Sequence, residues 1–294
     1  MRSGMVAVLG RPNVGKSSLV NALVGRKVSI VSRRPQTTRH RIQGVYNADD
    51  LQIVFIDTPG LHEHEHRTLN EFLNRAASSA IEGVDAVLHV VESGAWRADD
   101  DLALARAARA GVPVIAALNK VDRRAQKQEL LPEIAKLNER HAYAAIVPVS
   151  ATHGDNLEGL ADALAAYMPE GPMLFPPGQI QGHDLAFTVA ECVREKLTRM
   201  LHEELPYALS VGVEALEDKP GLLRAHAVIW VEREPQKKIV VGAGGSTIKR
   251  VGTAARRDLE AQLDKKVFLQ TYVRVRPNWS DDPAALRALG YDDG

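Results

Sequence analysis

Residues 10–17 constrain the fold of this chain more than any other stretch. They read Gly-Arg-Pro-Asn-Val-Gly-Lys-Ser and follow a short apolar run, residues 5–9, that is typical of a buried strand. The two glycines let successive backbone N–H groups turn toward phosphate oxygens. A helical pattern begins near Lys16, so the positive end of a helix dipole would face the same anion. The segment therefore predicts a strand, a phosphate-binding loop and a helix.

A second apolar run, residues 51–56, ends in Asp-Thr-Pro-Gly at positions 57–60. The carboxyl ends of strands are where an open α/β sheet places its ligands, so these residues are expected beside the first loop. Within that loop Lys16 is expected to reach the β- and γ-phosphates. The predicted phosphate-binding residues are Gly10, Arg11, Pro12, Asn13, Val14, Gly15, Lys16, Ser17, Ser18, Asp57, Thr58, Pro59 and Gly60.

Magnesium is the cofactor that this pattern implies. Hydroxyl and carboxylate oxygens are the ligands that Mg²⁺ prefers. We expect Ser17 and Thr38 to bind the ion directly, and Asp57 to hold it from the next layer of ligands. Thr38 lies in a basic, proline-containing loop, residues 26–39, while the Gly60 amide is expected to touch the γ-phosphate. The loops that carry Thr38 and Gly60 would then be ordered only while the γ-phosphate is present.

The tetrapeptide Asn119-Lys120-Val121-Asp122 indicates the base. It follows an apolar run, residues 114–118, at the edge where the other segments end, whereas alone it would also fit a surface turn. A buried Asp122 carboxylate would accept both N–H donors of guanine, and adenine would leave that charge unpaired. The Lys120 stem would pack on the base, and Ser150-Ala151 would lend an N–H to guanine O6. The predicted guanine-binding residues are Asn119, Lys120, Asp122, Ser150 and Ala151.

The order of the apolar runs predicts two folded units. Strands alternate with helices over residues 1–168, which favours an α/β unit with a mostly parallel sheet. Residues 169–182 are rich in proline and glycine and form a linker that is neither helix nor central strand. Residues 183–279 show the order αββααβ of a compact α+β unit, and the acidic residues 280–294 are expected to be a loosely held tail.

Several of these segments together resemble a known family. The loops at 10–17, 35–39, 57–60, 119–122 and 150–151 are similar to those of GTPases of the TrmE-Era-Obg group. The αββααβ order, with G-x-x-G between two helices, resembles a type II KH domain. A Ras-like P-loop GTPase domain followed by a KH domain, ending in the segments at 278–282 and 289–291, is similar to the Era family within that group.

This resemblance covers almost the whole chain and has functional implications. It implies a bacterial GTPase that binds GTP and GDP, hydrolyses GTP with Mg²⁺, and works in the cytoplasm. It implies that the chain binds the 3′ end of small-subunit ribosomal RNA and assists maturation of the small ribosomal subunit. The chain departs from the family at Ser18, where threonine is commoner, and at Ala243-Gly244, where a more polar pair is usual.

The expected RNA surface surrounds the glycine-rich loop. The whole chain has 37 basic and 37 acidic residues, so a nucleic-acid surface must come from local segregation of charge. Residues 237–266 hold eight cationic and three acidic side chains, a local net charge of +5. Glycines at the loop permit the close backbone approach by which KH domains clamp RNA. The predicted RNA-binding residues are Lys237, Lys238, Gly242, Ala243, Gly244, Gly245, Ser246, Lys249 and Arg250.

Catalysis is expected to be slow without help. Leu61 follows Gly60 where Ras-like enzymes place a glutamine that orients the attacking water, and leucine cannot orient water. This group resembles enzymes that hold a potassium ion between the phosphate-loop asparagine and the first switch, which implies that K⁺ accelerates turnover through Asn13. The predicted catalytic residues are Lys16, Asn13, Thr38 and Gly60.

Other interpretations stay open at this point. The basic domain would equally suit a signalling GTPase that binds protein or anionic lipid peripherally on the cell membrane. An RNA-modifying enzyme is not favoured, because no second catalytic constellation follows Gly182. Alternate histidines at 62, 64 and 66 suggest a metal site, although a solvated loop explains them as well. The single Cys192 is expected in the core, and no run of eighteen apolar residues predicts a membrane span.

Overall fold

Two β-sheets organise the structure, a computed structural model that describes residues 1–32, 37–40, 42–58, 68–124, 126–202, 205–289 and 291. The first sheet has six strands in the order β2-β3-β1-β4-β5-β6. They are β1 (Arg2–Leu9), β2 (Ile42–Ala48), β3 (Leu51–Asp57), β4 (Ala86–Glu92), β5 (Val114–Asn119) and β6 (Ala145–Pro148). Only β2 runs antiparallel to its neighbour, β3, so the expected mostly parallel sheet is confirmed.

Helices cover both faces of this sheet. They are α1 (Lys16–Val24), α2 (Thr68–Ser79), α3 (Ala98–Arg109), α4 (Leu130–Arg140) and α5 (Leu157–Ala165). Leu19 of α1 and Leu160 of α5 share a buried cluster with Val8, whereas Ala107 of α3 packs against Val87 on the opposite face. Central strands buried on both sides need continuous apolar runs, which is why they could be recognised in the sequence.

The proline-rich segment 169–182 follows the edges of this sheet. Ser3 N–H donates to Pro169 O at 3.0 Å, and Val45 N–H donates to Ile180 O at 2.9 Å. The fully buried Gln52 accepts from the N–H groups of Leu174 and Phe175 at 2.8 and 2.9 Å. The segment contains neither helix nor named strand, as its prolines require.

The second sheet belongs to a separate α+β unit. Its elements are α6 (Leu185–Met200), β7 (Leu209–Lys219), β8 (Leu222–Val231), α7 (Glu234–Val241), α8 (Ser246–Leu263) and β9 (Lys266–Val275), which confirms the order αββααβ. Strand β8 pairs antiparallel with β7 and parallel with β9. Leu197, Ile229 and Leu259 lie in its core. Cys192 is buried there too, and burial raises the pKa of its thiol to about 11, so it fills the core as expected.

The prediction of a loose acidic tail is wrong for the residues that the structure describes after 279. They form a short helix, α9 (Pro283–Ala288), whose N-terminus is capped by the Asp282 carboxylate accepting from Ala284 N–H at 2.9 Å. Three apolar side chains, Trp279, Leu286 and Tyr291, are at most 3% exposed. They pack with Leu69, Phe72 and Leu73 of α2. The prediction was wrong because it rested on the acidic composition of the tail and did not consider its few apolar side chains.

Candidate nucleotide site and nucleic-acid interface

The loop between β1 and α1 requires glycine at both motif positions. Gly10 has a φ of +151°, and a Cβ there would lie 2.4 Å from Val90 O. Gly15 has a φ of +104°, and a Cβ there would lie 2.4 Å from Asn119 Nδ2. Neither clash can be relieved without moving the sheet or the base-recognition motif. The loop is therefore held tightly between the ends of β1, β4 and β5.

Lys16 points into this loop. Its Nζ donates to Gly10 O at 2.8 Å and to Arg11 O at 3.1 Å, and the side chain is 8% exposed. Burial lowers the pKa of Lys16, while the nearby Asp57 carboxylate favours its charged form. An ammonium held against neutral carbonyls would gain more from the charged oxygens of a phosphate.

The three predicted magnesium ligands lie together. Ser17 Oγ donates to Asp57 Oδ2 at 2.6 Å and lies 3.1 Å from Thr38 Oγ1, which is itself 3.4 Å from Asp57 Oδ2. Asp57 is fully buried, and burial raises the pKa of its carboxyl. Its Oδ1 is buried and has no hydrogen-bond partner among the described residues. A hard cation with oxygen ligands fits this set, because it would satisfy the unpaired oxygen and offset the cost of burying the charge.

The structure also places several other residues that were predicted to bind phosphate. Val14 is fully buried in the core of the sheet, and Asn13 is exposed with a φ of +64°. Pro12 is half-buried, and Ser18 lies in the first turn of α1. Thr58 Oγ1 donates to Val8 O at 3.0 Å, which ties the end of β3 to β1. Pro59, Gly60, Leu61 and the histidines at 62, 64 and 66 lie outside the described residues, so the predictions about them stay predictions.

Asn119 connects the base motif to the phosphate loop. Its Nδ2 donates to Val14 O at 2.9 Å, and its Oδ1 accepts from Ala151 N–H at 3.1 Å. Ser150 N–H donates to Asp155 O at 3.2 Å. The N–H groups of Ser150 and Ala151, one of which is expected to serve guanine O6, thus both already have acceptors in the protein. Donation to the base would require one of these bonds to be shared or exchanged.

Asp122 lies exposed at the surface, which corrects the expectation of a buried carboxylate. Ser150 Oγ donates to its Oδ1 at 2.6 Å, and this hydrogen bond lowers the pKa of Asp122. The carboxylate is therefore charged and oriented in the neutral pH range. Strong rejection of adenine would then require the base itself to cover Asp122 and exclude water from it.

Glu92, at the end of β4, joins the two halves of the site and was not predicted. Its Oε2 accepts from Arg11 Nη2 at 2.7 Å, and its Oε1 lies 3.0 Å from Lys120 Nζ and 2.7 Å from Arg123 Nη1. Burial opposes the charged form, but the hydrogen bonds from Lys120 and Arg11 lower the pKa of Glu92. Lys120 Nζ also donates to Asn13 O at 2.6 Å. An acidic residue at the carboxyl end of a central strand was the signal that could have found Glu92.

The side chain of Arg11 is directed away from the loop. Besides Glu92 it contacts Asp100 on α3, with Nε 3.0 Å from Oδ2. Arg11 is 6% exposed and Asp100 is fully buried. Of the predicted phosphate contacts of Arg11, only those of its backbone agree with this geometry.

The glycine-rich loop joins α7 to α8 in the second unit. A Cβ at Gly242 would lie 2.3 Å from Thr247 Oγ1, whereas Cβ atoms at Gly244 and Gly245 would meet nothing within 4 Å. All three glycines have positive φ. The first glycine therefore closes the turn against α8, and the other two leave open space in which another backbone could approach.

A groove with a volume of about 470 Å³ lies beside this loop. Its apolar lining includes Leu205 and the exposed Ile239, and its polar lining includes Gln236, Thr247 and Arg250. Four predicted RNA-binding cations, Lys237, Lys238, Lys249 and Arg250, form no ion pair within the described part of the chain. Ala243 and Ser246 are exposed in the same turn. Apolar walls beside unpaired cations suit nucleotides, which have aromatic faces and a charged backbone.

Two sequence families match this chain in the order that the fold shows. The family described as "50S ribosome-binding GTPase" matches residues 5–120, and the KH domain family matches residues 204–280. GTPase Era from Xanthomonas axonopodis pv. citri is 50% identical over 291 residues, 99% of this chain and 97% of that protein. GTPase Era from Stenotrophomonas maltophilia is 50% identical over 289 residues, 98% of this chain and 97% of that protein.

The chain belongs to the Era family of GTPases.

Solved structures of Era agree over both domains. A variant of Aquifex aeolicus Era bound to GDP·AlF4⁻ matches with a TM-score of 0.94 and 36% identity, covering 99% of both chains. Era in complex with MgGDPNP and nucleotides 1506–1542 of 16S ribosomal RNA matches with a TM-score of 0.93 and 36% identity, again over 99% of both chains. The fold of an Era GTPase, with its KH domain, is therefore shared throughout the chain.

The Era-family GTPase described here has no candidate for a membrane-crossing helix among the residues that the structure covers. Within those same residues, no cluster of three or more histidine, cysteine or acidic side chains is arranged to hold a metal ion. The histidines at 62, 64 and 66 lie outside the described residues, so the alternatives for them stay open.

Proposed function

We propose that this Era-family GTPase binds the 3′ end of 16S ribosomal RNA through its KH domain and assists assembly of the small ribosomal subunit. The conjunction of a GTP site with an open G-x-x-G loop in one chain carries the proposal. The near full-length similarity to Era in complex with MgGDPNP and 16S RNA supports it. GTP hydrolysis would act as the switch between two RNA-binding states.

In this proposal, separate groups of residues in the first domain bind the phosphates and the base of the nucleotide. Backbone N–H groups of the loop 10–18, to which Pro12 contributes none, and the Lys16 ammonium bind the β- and γ-phosphates. Asp122 accepts from the guanine ring N–H and exocyclic amine, while the Lys120 stem lies along the base. The contacts of Asn119 with Val14 O and Ala151 N–H keep both parts in register. The phosphate-binding loop and the base-binding motif would therefore bind the two ends of the nucleotide while Asn119 holds them together.

Ser17, Thr38 and Asp57 would hold Mg²⁺, which supplies positive charge to the β- and γ-phosphate oxygens when bound. Ser17 and Thr38 offer hydroxyl oxygens to the ion, and Asp57, whose Oδ1 lacks a hydrogen-bond partner among the described residues, would hold it from the next layer of ligands. Thr38 lies in the loop of residues 26–39, the first switch loop, so its contact would couple the position of this loop to the γ-phosphate.

A potassium ion is the further cofactor in the proposal. Asn13 is exposed and has positive φ, and its carbonyl is fixed by Lys120 Nζ at 2.6 Å. A side-chain amide oxygen here is suited to a weakly hydrated cation near the β- and γ-phosphates. Turnover should therefore be faster in potassium than in sodium buffer. Equal rates in the two buffers, or a wild-type rate for Asn13→Ala, would exclude this role.

On the RNA side, Gly244 and Gly245 would admit the RNA backbone, and Lys249 and Arg250 would contact its phosphates. Bases would enter the neighbouring groove beside Ile239 and Gln236. The small ribosomal subunit as partner places the protein in the cytoplasm. Contact with the inner face of the membrane is the competing outcome of the test below.

Binding of a fluorescent oligonucleotide with the 3′-terminal 16S sequence tests the proposal, with GDP or GDPNP present and a scrambled oligonucleotide for comparison. We expect tighter, sequence-selective binding with GDPNP. Lys249→Ala should weaken binding about tenfold, whereas the matched control Arg257→Ala, further along the same helix, should weaken it about twofold or less.

Equal binding of both oligonucleotides in both nucleotide states would overturn the RNA proposal. Vesicles of anionic lipid form a separate arm of the experiment. Lipid binding without RNA selectivity would favour the membrane-associated interpretation, because anionic lipid would then be the polyanion that the basic surface selects.

A further inference from the structure

Residues 37–40, at the end of the first switch loop, have different partners. Thr38 faces Ser17 and Asp57 in the GTPase domain. Its neighbours on both sides contact the KH domain or the C-terminal segment instead. The loop residue expected to bind the metal is thus enclosed by contacts from the rest of the chain.

Arg194 makes the contact before Thr38. This α6 residue is 2% exposed, and its guanidinium binds both carboxylate oxygens of Glu191, with Nε 2.6 Å from Oε1 and Nη2 2.6 Å from Oε2. Nη2 also donates to the backbone oxygen of Thr37. Glu191 therefore orients the guanidinium, and the guanidinium fixes the peptide bond that precedes Thr38.

Arg39 makes the contact after Thr38. Its guanidinium donates to Leu209 O at 2.7 Å and to Pro206 O at 2.8 Å, and the residue is 2% exposed. His40 then stacks on Tyr291 with 4.5 Å between ring centroids, and meets Phe187 of α6 edge-on at 5.2 Å. A buried arginine that donates to two KH-domain carbonyls is not free to follow the loop away from that domain.

The same helix also holds the earlier part of the loop. Glu195 Oε1 accepts from Val31 N–H at 3.2 Å, and Arg199 Nη2 donates to Val31 O at 2.7 Å. Lys27 Nζ lies 2.5 Å from Glu195 Oε2 and 3.2 Å from Asp258 on α8. The loop is therefore attached to the KH domain at two places, near Val31 and around Thr38.

We propose that the KH domain is an internal clamp that holds Thr38 at the metal site, with Arg194 as its principal positioning residue. Fixing a loop residue costs backbone entropy, so a loop already held by another domain loses less entropy when the metal and γ-phosphate bind. The inference rests on the assignment of Thr38 to Mg²⁺ made under the proposed function. It adds that this assignment depends on the second domain.

The main test replaces Arg194 and Glu191 together, as R194M with E191Q, because either change alone would leave a buried charge unpaired. We expect kcat for GTP and the affinity for GDPNP to fall about tenfold, with GDP affinity changed about twofold or less. GDP lacks the γ-phosphate whose binding requires Thr38 at the metal. A purely structural defect would weaken both nucleotides alike.

A second readout uses the nucleotide-free protein and needs no metal. Hydrogen exchange of the peptide that carries Thr38 should be about tenfold faster in the double variant, with α1 unchanged. Arg194→Lys is the gentler variant, since it keeps a charge beside Glu191 but lacks the fork that reaches Glu191 and Thr37 O together. It should show a smaller change in the same direction. This variant serves if the double variant does not fold.

Arg199→Ala is the matched control, because Arg199 lies on the same helix and contacts the same loop at Val31, away from Thr38. Its kcat should stay within about twofold of wild type. In a Thr38→Ala background the double variant should cause no further loss of kcat, because both changes act through one contact.

The outcomes separate the inference from the assignment on which it rests. Wild-type kcat, GDPNP affinity and hydrogen exchange in the double variant, with a defective Thr38→Ala, would overturn the clamp and leave the metal assignment intact. Full activity of Thr38→Ala would overturn the metal assignment itself.

Discussion

The base side and the switch side of the nucleotide site are stabilised in different ways. On the base side, Asn119 and Asp122 are positioned by Val14, Ala151 and Ser150, all within the GTPase domain. On the switch side, Thr37 and Arg39 are held by the KH domain. Under the proposed assignments, selection of guanine would thus depend on one domain, whereas the position of the proposed metal ligand would depend on two. Hydrolysis, rather than base recognition, would then be the property that the KH domain controls.

The strongest test of the base side is Asp122→Asn. The variant should lose affinity for GTP by about 1000-fold, because the amide cannot accept both guanine donors. It should gain affinity for xanthosine nucleotides, whose base has a carbonyl where guanine has an amine. Equilibrium binding of fluorescent nucleotides measures both changes. Asp155→Asn, a nearby exposed acid, is the control, and unaltered GTP binding by Asp122→Asn would contradict the assignment.

The switch side can be loosened separately through the C-terminal segment. Leu286 is fully buried against α2, so Leu286→Ala should destabilise this packing by about 3 kcal/mol. Amides of α2 should then exchange faster, and those of β5 should not. The exposed neighbour Arg287→Ala is the control. Equal acceleration in α2 and β5 would mean that the two sides unfold as one unit, which would break the comparison.

Acid should act on the GTPase sheet through His89. This residue is fully buried, and burial lowers its pKa from the ordinary 6.5 to about 3. Between these values the unfolded chain binds a proton that the folded chain does not, so lowering the pH favours unfolding. From pH 6.5 to pH 4.5 this group alone should cost about 2–3 kcal/mol of stability.

The measurement is the free energy of unfolding against pH for wild type and His89→Gln. The variant should have the shallower dependence in that window, whatever its stability at neutral pH. Tyr143→Phe removes the hydroxyl that lies 2.9 Å from His89 Nδ1 but keeps the histidine buried, so it should retain the steep dependence. Parallel curves for wild type and His89→Gln would refute the role of His89.

Glu92 tests whether the base side and the phosphate loop act together. Glu92→Gln removes the charge that binds Arg11 and Lys120, and should weaken GTP and GDP about equally, by about tenfold. Glu133→Gln is the matched control, since Glu133 binds Arg124 and does not touch the phosphate loop. An effect on GTP alone would assign Glu92 to the switch side instead.

Much of the first domain could be predicted because its signals are local. Apolar runs that end in Gly-rich or Asp-containing turns showed the parallel strands and the edge where they end. The placement of Asp57 beside the phosphate loop followed from that edge. The exposure of Asp122 and the prior partners of the Ser150 and Ala151 N–H groups did not, because burial and competing acceptors depend on neighbours distant in the chain.

The tail was misjudged for a similar reason. Its acidic composition indicated a solvated segment, yet Trp279, Leu286 and Tyr291 are buried. Their value as packing residues depends on Leu69, Phe72 and Leu73, which lie more than two hundred residues earlier. An apolar face of three side chains is too short to give a periodic signal.

The sequence by itself determined the order of the elements, the phosphate loop, the base motif and the glycine-rich RNA loop. Each of these depends on backbone conformations and residue spacings within a few positions. Only the tertiary structure decided that Arg194 binds Glu191 and Thr37 O at once, 157 residues away, and that Glu92 joins Arg11 to Lys120. A charged side chain on a helix has candidate partners three or four residues away, as Arg194 has in Glu191, but its contacts with distant segments cannot be read from the sequence. The fold determines which partner a buried charge meets, and such a charge must be paired because burying it alone is costly.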